Sequence, residues 1–244
     1  MQKRSVTVIL AALLTVSLIG AQKIRQNSRR QGESALEASG RRQDALEAAD
    51  LKSITKLNTE VKKQVALTFD DGPGPYTDKL LEGLREREVR ATFFLIGENL
   101  AGREETVRRM VQDGHLIGSH TDTHVELTKL PLPEALSEIR RTNEKIEAVT
   151  GVPVEYIRPP YGSWNRELEQ EVWMTEAGWT VDPRDWEVKN TDTVTAHVLS
   201  HVKDGSIVLL HDIYETSVEA AFRIVDALKE EGYEFVTADF LIPD

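Results

Sequence analysis

The 244-residue sequence predicts an α/β domain with parallel strands. From Lys62 onward, short apolar runs alternate with helical patterns, polar clusters follow five of those runs, and no repeat or low-complexity tract intervenes. Parallel neighbours need right-handed crossovers, so such a chain closes as a barrel or remains an open wound sheet. Chemistry-bearing residues at the ends of five different strands favour the barrel, whose sites assemble at the carboxyl face.

The first strand, Val65–Phe69, is an apolar run that Gly72-Pro73-Gly74-Pro75 must end. Further strands are expected at Ala91–Ile96, Leu116–Ser119, Glu155–Arg158, Trp179–Asp182, Ile207–Leu210 and Phe235–Thr237. The stretch Met174 to Gly178 is too polar for a buried strand, which leaves Trp179 to Val181 to pair there. Helices are expected over Asp78–Glu88, Glu104–Asp113, Pro133–Val149 and Val218–Glu231, where apolar residues recur at three and four.

Ahead of this domain, Lys3 and Arg4 precede the mostly apolar stretch Ser5 to Ala21. Residues 1–24 therefore read as a signal peptide or a membrane anchor. Positive charge just beyond, at Lys23, Arg25, Arg29 and Arg30, favours the hydrophobic helix as an uncleaved anchor. Residues 25–61 form a polar stalk, and residues 62–244 form one catalytic domain, extracytoplasmic in either case. Residues 1–61 carry ten Lys/Arg against six Asp/Glu, and the remainder twenty against thirty-five. So acidic a domain argues against nucleic acid and fits a neutral or cationic glycan. With no cysteine, the chain has no thiol nucleophile, thiolate metal site or disulfide, and any metal must be held by His and carboxylate.

The most informative segment is Thr68-Phe69-Asp70-Asp71-Gly72-Pro73, which delivers two adjacent carboxylates to a strand end. Leaving the strand there turns both toward one site, one to bind a cation and one to move protons. His120 and His124 sit four apart, which in a helical turn brings both imidazoles to one face, and Asp71 would complete a two-histidine, one-carboxylate site. His197 and His201 share that spacing away from any motif and read, with His115, as surface or helix residues. His211 follows an apolar strand and is a candidate general acid.

In order, Asp70-Asp71, His120-Thr-Asp-Thr-His124, Arg158-Pro159-Pro160-Tyr161-Gly162, Asp185-Trp186 and Leu209-Leu210-His211-Asp212 resemble the five motifs of the polysaccharide deacetylases, the NodB-homology or carbohydrate esterase 4 family. That resemblance implies a distorted, incomplete (β/α) barrel of about seven strands. It implies Asp70 as general base, and Asp71, His120 and His124 as ligands of zinc, cobalt or another divalent ion. Arg158 then sits against Asp70, Asp185 orients His211, Tyr161 offers its backbone N–H to the oxyanion, and Trp186 and Leu209 line the groove and acetyl pocket. Ser119 stands where Asn is common, and Asp212-Ile213-Tyr214-Glu215 where a second histidine is frequent.

The expected function is metal-dependent removal of N-acetyl groups from an N-acetylglucosamine polysaccharide, peptidoglycan or chitin-like, by a monomer tethered at the membrane. The alternatives are an O-acetyl xylan esterase of the same family, a non-catalytic glycan-binding module, and an iron oxygenase using His120-Thr121-Asp122.

Overall fold

In the computed structural model, which describes residues 62–242, β1 (Gln64–Gly72) is buried along nearly its whole length, on both faces. That explains an apolar run without alternation. In chain order there follow α1 (Thr77–Glu86), β2 (Thr92–Leu95), α2 (Glu104–Gln112), β3 (Leu116–Ser119), α3 (Leu132–Thr150), β4 (Tyr156–Ile157), α4 (Arg166–Glu171) and β5 (Thr175–Glu176). Then come α5 (Asp185–Val188), α6 (Thr191–His201), β6 (Ser206–His211), α7 (Glu215–Glu230) and β7 (Glu234–Phe235). The residues expected to form an anchor (1–24) and stalk (25–61) lie outside the described residues. Among the described residues, no helix is long and apolar enough to cross a membrane.

The strands lie in the order β5-β4-β3-β2-β1-β6, all pairs are parallel, and β7 pairs with the start of β1. This is the expected incomplete barrel, a seven-stranded sheet that does not close. Leu67, Phe69, Phe93, Leu95, Val208 and Leu210 are fully buried in one cluster with Leu80 and Leu84 of α1 and Ile224 of α7. Each such side chain contributes about 1.5–3 kcal/mol on burial. The strand-end residues are thereby fixed to a rigid frame. Parallel register sets Asp70 of β1 opposite Phe94 of β2 and His211 of β6.

One expected strand is misplaced. The fifth strand is Thr175–Glu176, both exposed, and Trp179–Asp182 forms no strand beyond a single bridge from Val181 to Val208. Apolar pattern is not needed at an exposed edge, so polarity was the wrong criterion. The same segment spans the open side of the sheet: the N–H groups of Thr175 and Ala177 bond the carbonyls of Glu155 and Ile157 by β4. Those of Thr180 and Val181 bond Ile207 on β6. Helix α6 was not anticipated either. It is capped by the Asn190 side chain, which accepts from Thr193 N–H at 2.9 Å, and buries only Val194 and Val198.

His115 is buried rather than superficial. Its Nδ1 accepts the Ala91 N–H at 3.0 Å, and its ring lies edge-on to Phe93 at 5.2 Å. Burial depresses its pKa to about 4, against an ordinary 6.5. Because the folded value is the lower one, its neutral state stabilises the fold above the unfolded pKa. That contribution is lost as pH falls from 6.5 toward 4. Wild type should therefore lose roughly 3 kcal/mol more than His115→Gln across that window. Urea melts at paired pH values check it, and parallel losses would refute it.

Candidate active site

Asp71, His120 and His124 are brought together at the carboxyl end of the sheet, with one ligand atom from each within 4.8 Å of the others. Nε2 of His120 lies 3.4 Å, and Nε2 of His124 3.3 Å, from Asp71 Oδ1. The two histidines do not share a helical turn, as the spacing suggested. His120 to Val125 is non-helical chain, in which Thr121 and His124 adopt positive φ of 65° and 56°. His120 Nδ1 faces the Arg158 carbonyl at 2.5 Å. A carbonyl only accepts, so Nδ1 carries the proton and Nε2 offers a lone pair toward Asp71.

These residues fit a divalent cation. Asp71 Oδ1 is buried without a hydrogen-bond partner, and it faces two imidazole nitrogens at the ~3.4 Å separation that donors keep around a tetrahedral ion. Burial works against the Asp71 charge, but the surrounding imidazoles of His120, His211 and His124 hold its carboxyl below the usual range. Burial likewise pushes the His124 imidazole down, against the pull of Asp71, toward its neutral ligating form.

Asp70, beside this group, is held by Arg158, which is fully buried. Nη1 of Arg158 donates to Asp70 Oδ1 at 2.9 Å and to Thr68 Oγ1 at 2.6 Å. Nε and Nη2 donate to the carbonyls of Ala177 and Gly178, each at 2.8 Å. The guanidinium also lies 4.2 Å from the Phe94 ring centre. The second oxygen of Asp70 is left toward the cleft, 3.9 Å from His120 Nε2.

Across the cleft, His211 Nδ1–H donates to Asp185 Oδ1 at 2.8 Å, while Asp185 Oδ2 accepts the His211 backbone N–H at 2.8 Å. Burial opposes a charge on this imidazole, yet the hydrogen bond and charge of Asp185, with Asp70 and Asp71, push its pKa up to about 9. Asp185 lies on the first turn of α5, fully buried, rather than after a strand.

A cleft of about 420 Å³ joins these groups and is also lined by Tyr161, Trp186 and Leu209. Tyr161 is 70% exposed with φ 62°, Trp186 is 44% exposed, and Leu209 lies buried on β6 at the floor. Asp122 does not join. Its carboxylate is engaged by Arg141 Nε at 2.8 Å and Lys145 Nζ at 2.6 Å, which contradicts an iron triad with His120. His197 and His201 stack on α6 with ring centres 4.2 Å apart, away from the cleft lining.

A family model described as polysaccharide deacetylase matches residues 58–178. The peptidoglycan-N-acetylmuramic acid deacetylase PdaC of Bacillus subtilis is 41% identical over 181 residues, 74% of this chain and 39% of that protein. The peptidoglycan-N-acetylglucosamine deacetylase PgdA of Listeria monocytogenes is 38% identical over 183 residues, 75% of this chain and 39% of that protein. A solved structure of peptidoglycan deacetylase PdaC from Bacillus subtilis has a TM-score of 0.73 at 41% identity, covering 74% of this chain and 90% of that one. The chain belongs to the polysaccharide deacetylase family. It matches only 39% of the length of these two curated relatives.

Within this family member, several supporting residues were given no role by the sequence. Asp212, fully buried, accepts from Thr77 Oγ1 at 2.5 Å, and Thr77 Oγ1 accepts the Gly74 N–H at 2.7 Å, pinning the turn after Asp71 to β6. Burial pushes the Asp212 carboxyl up to about 7. Asp182 and Tyr214 line the cleft as well, the latter with its ring 6.4 Å from that of His211. Only their nearness to Asp185 and His211 in the chain pointed to them.

The buried pair yields a stability prediction. Arg158→Met leaves Asp70 as an uncompensated buried charge and should cost about 3–5 kcal/mol. Adding Asp70→Asn should recover part of that loss, which denaturant melts of both variants measure. A double variant as unstable as the sum of the singles would contradict the pairing.

Proposed function

We propose that this chain hydrolyses the N-acetyl groups of an N-acetylglucosamine-containing polysaccharide, with peptidoglycan as its substrate and zinc as its ion, releasing acetate. The observation that carries this reading is one cleft in which Asp70 and His211 flank Asp71, His120 and His124. Support for the glycan comes from the two curated relatives, both named as peptidoglycan deacetylases. The apolar stretch Ser5 to Ala21 behind Lys3 and Arg4 supports export and tethering near the cell wall.

Asp71, His120 and His124 would hold the ion. When bound, it supplies a Lewis acid for the acetamide carbonyl and lowers the pKa of a water toward neutrality. Asp70, fixed through one oxygen by Arg158, would use the other to take a proton from a water whose oxygen attacks the carbonyl carbon. The Tyr161 backbone N–H, on the exposed cleft wall, stabilises the oxyanion. Amide nitrogen cannot leave as its anion. His211, kept protonated and oriented by Asp185, gives it the proton as the C–N bond breaks, and the amine and acetate depart. Trp186 offers a face against which a pyranose ring packs, above the Leu209 floor.

Acetate release from purified peptidoglycan tests the assignment. Asp70→Asn should retain zinc and lose at least ~10²-fold in kcat, whereas His124→Ala should lose zinc itself. Near-native turnover by Asp70→Asn would refute Asp70 as the base.

Asp185→Asn removes the main opposite charge on His211, so the His211 pKa should fall. The alkaline limb of kcat should move to lower pH in that variant. An unmoved limb would remove His211 from the role of acid.

A further inference from the structure

We infer that Glu138, on α3, is a positioning residue that holds the chain between His120 and His124 in its ligating shape. The inference rests on the proposed metal reading. Glu138 is buried, 7% exposed, although it sits on a helix, and it does not line the cleft. Its Oε2 accepts three hydrogen bonds, from Asp122 N–H at 3.1 Å, Thr123 N–H at 2.9 Å and Thr123 Oγ1 at 3.1 Å. Its Oε1 pairs with Arg141 Nη2, and Arg141 Nε in turn reaches Asp122 Oδ2 at 2.8 Å. Lys145, one turn further along α3, holds Asp122 Oδ1 at 2.6 Å.

The need for such a clamp follows from the backbone. Thr121 and His124 both adopt a left-handed conformation that β-branched and bulky residues avoid, and such conformations persist only where the surroundings over-determine them. From the opposite side, the N–H groups of Gly97 and Glu98 bond the carbonyls of Thr121 and Asp122 at 3.0 and 2.9 Å. Those bonds fix the carbonyl edge. The N–H edge of Asp122 and Thr123 has Glu138 as its acceptor. A carboxylate accepting several backbone N–H bonds is stronger than a neutral acceptor, and two adjacent amides aimed at one oxygen fix the loop's rotation. Loop rotation sets where His124 Nε2 meets Asp71. Glu138 would thus act on metal affinity through the placement of the second histidine.

The experiment uses the full chain and zinc alone, with affinity measured by competition against a chromophoric chelator. Glu138→Ala should weaken zinc binding by roughly ten- to a hundredfold. Excess zinc should bring kcat on peptidoglycan back toward wild type, at unchanged KM. Glu144→Gln, which alters an exposed ion pair with Arg140 on the same helix, should leave zinc affinity as in wild type. A folded Glu138→Ala with wild-type zinc affinity would overturn the inference while leaving the metal reading standing. Wild-type protein without zinc affinity would overturn both. If Glu138→Ala does not fold, Glu138→Gln, which keeps the size and one acceptor oxygen, is read in its place. It too must lose affinity, and an unchanged value overturns the inference.

Discussion

A fully buried guanidinium is the constraint on which the rest of this site depends. Arg158 has no exposed surface, so its charge is tolerable only with a carboxylate against it and acceptors for its remaining donors. Asp70 is that carboxylate, which fixes the proposed base at the end of β1. The other acceptors are Thr68 and the carbonyls of Ala177 and Gly178, which lie where the chain leaves β5 and crosses toward β6. A sheet closed by a regular strand would engage those carbonyls in its ladder, so the incomplete barrel and the buried arginine are two sides of one arrangement. The Arg158 carbonyl also selects the His120 tautomer, so one residue orients both the base and a ligand.

Backbone strain gathers around this arrangement. Asp71, Thr121, His124 and Tyr161 all carry positive φ, and each stands in the cleft or between two residues that do. Such conformations are unfavourable locally and are kept where surrounding bonds leave no alternative. Thr77 and Asp212 do this beneath the turn after Asp71, and Glu138 does it beside the loop between the histidines. Precision at the ligand atoms thus comes from carboxylates that never enter the cleft.

How much of this was legible in the sequence depended on whether the signal was local. β1 was legible because burial on both faces forces a continuous apolar run, and its abrupt end at Gly72-Pro73 placed Asp70 and Asp71. β5 was not, because two exposed edge residues need no pattern. Residues at the site's surface could be read as strand-end acids and histidines, together with the resemblance they carry. Spacing alone misled: His120 and His124 occupy a strained loop, while the equally spaced His197 and His201 are the pair that sits on a helix. Asp212 and Thr77 lie 135 residues apart, and Glu138 reaches back 15 and 16 residues from within an ordinary amphipathic helix. Neither pairing leaves a local pattern in the sequence.

Asp71, His120 and His124 stand as one cation site whose donors are already in place. Anomalous diffraction at the zinc edge, on crystals of the full-length protein grown with stoichiometric zinc, tests it most directly. A single strong peak is expected about 2.0–2.2 Å from Asp71 Oδ1 and from Nε2 of both histidines, with His120 Nδ1 still on the Arg158 carbonyl. A zinc peak elsewhere with none at these three residues, or ligation through His120 Nδ1, would contradict it.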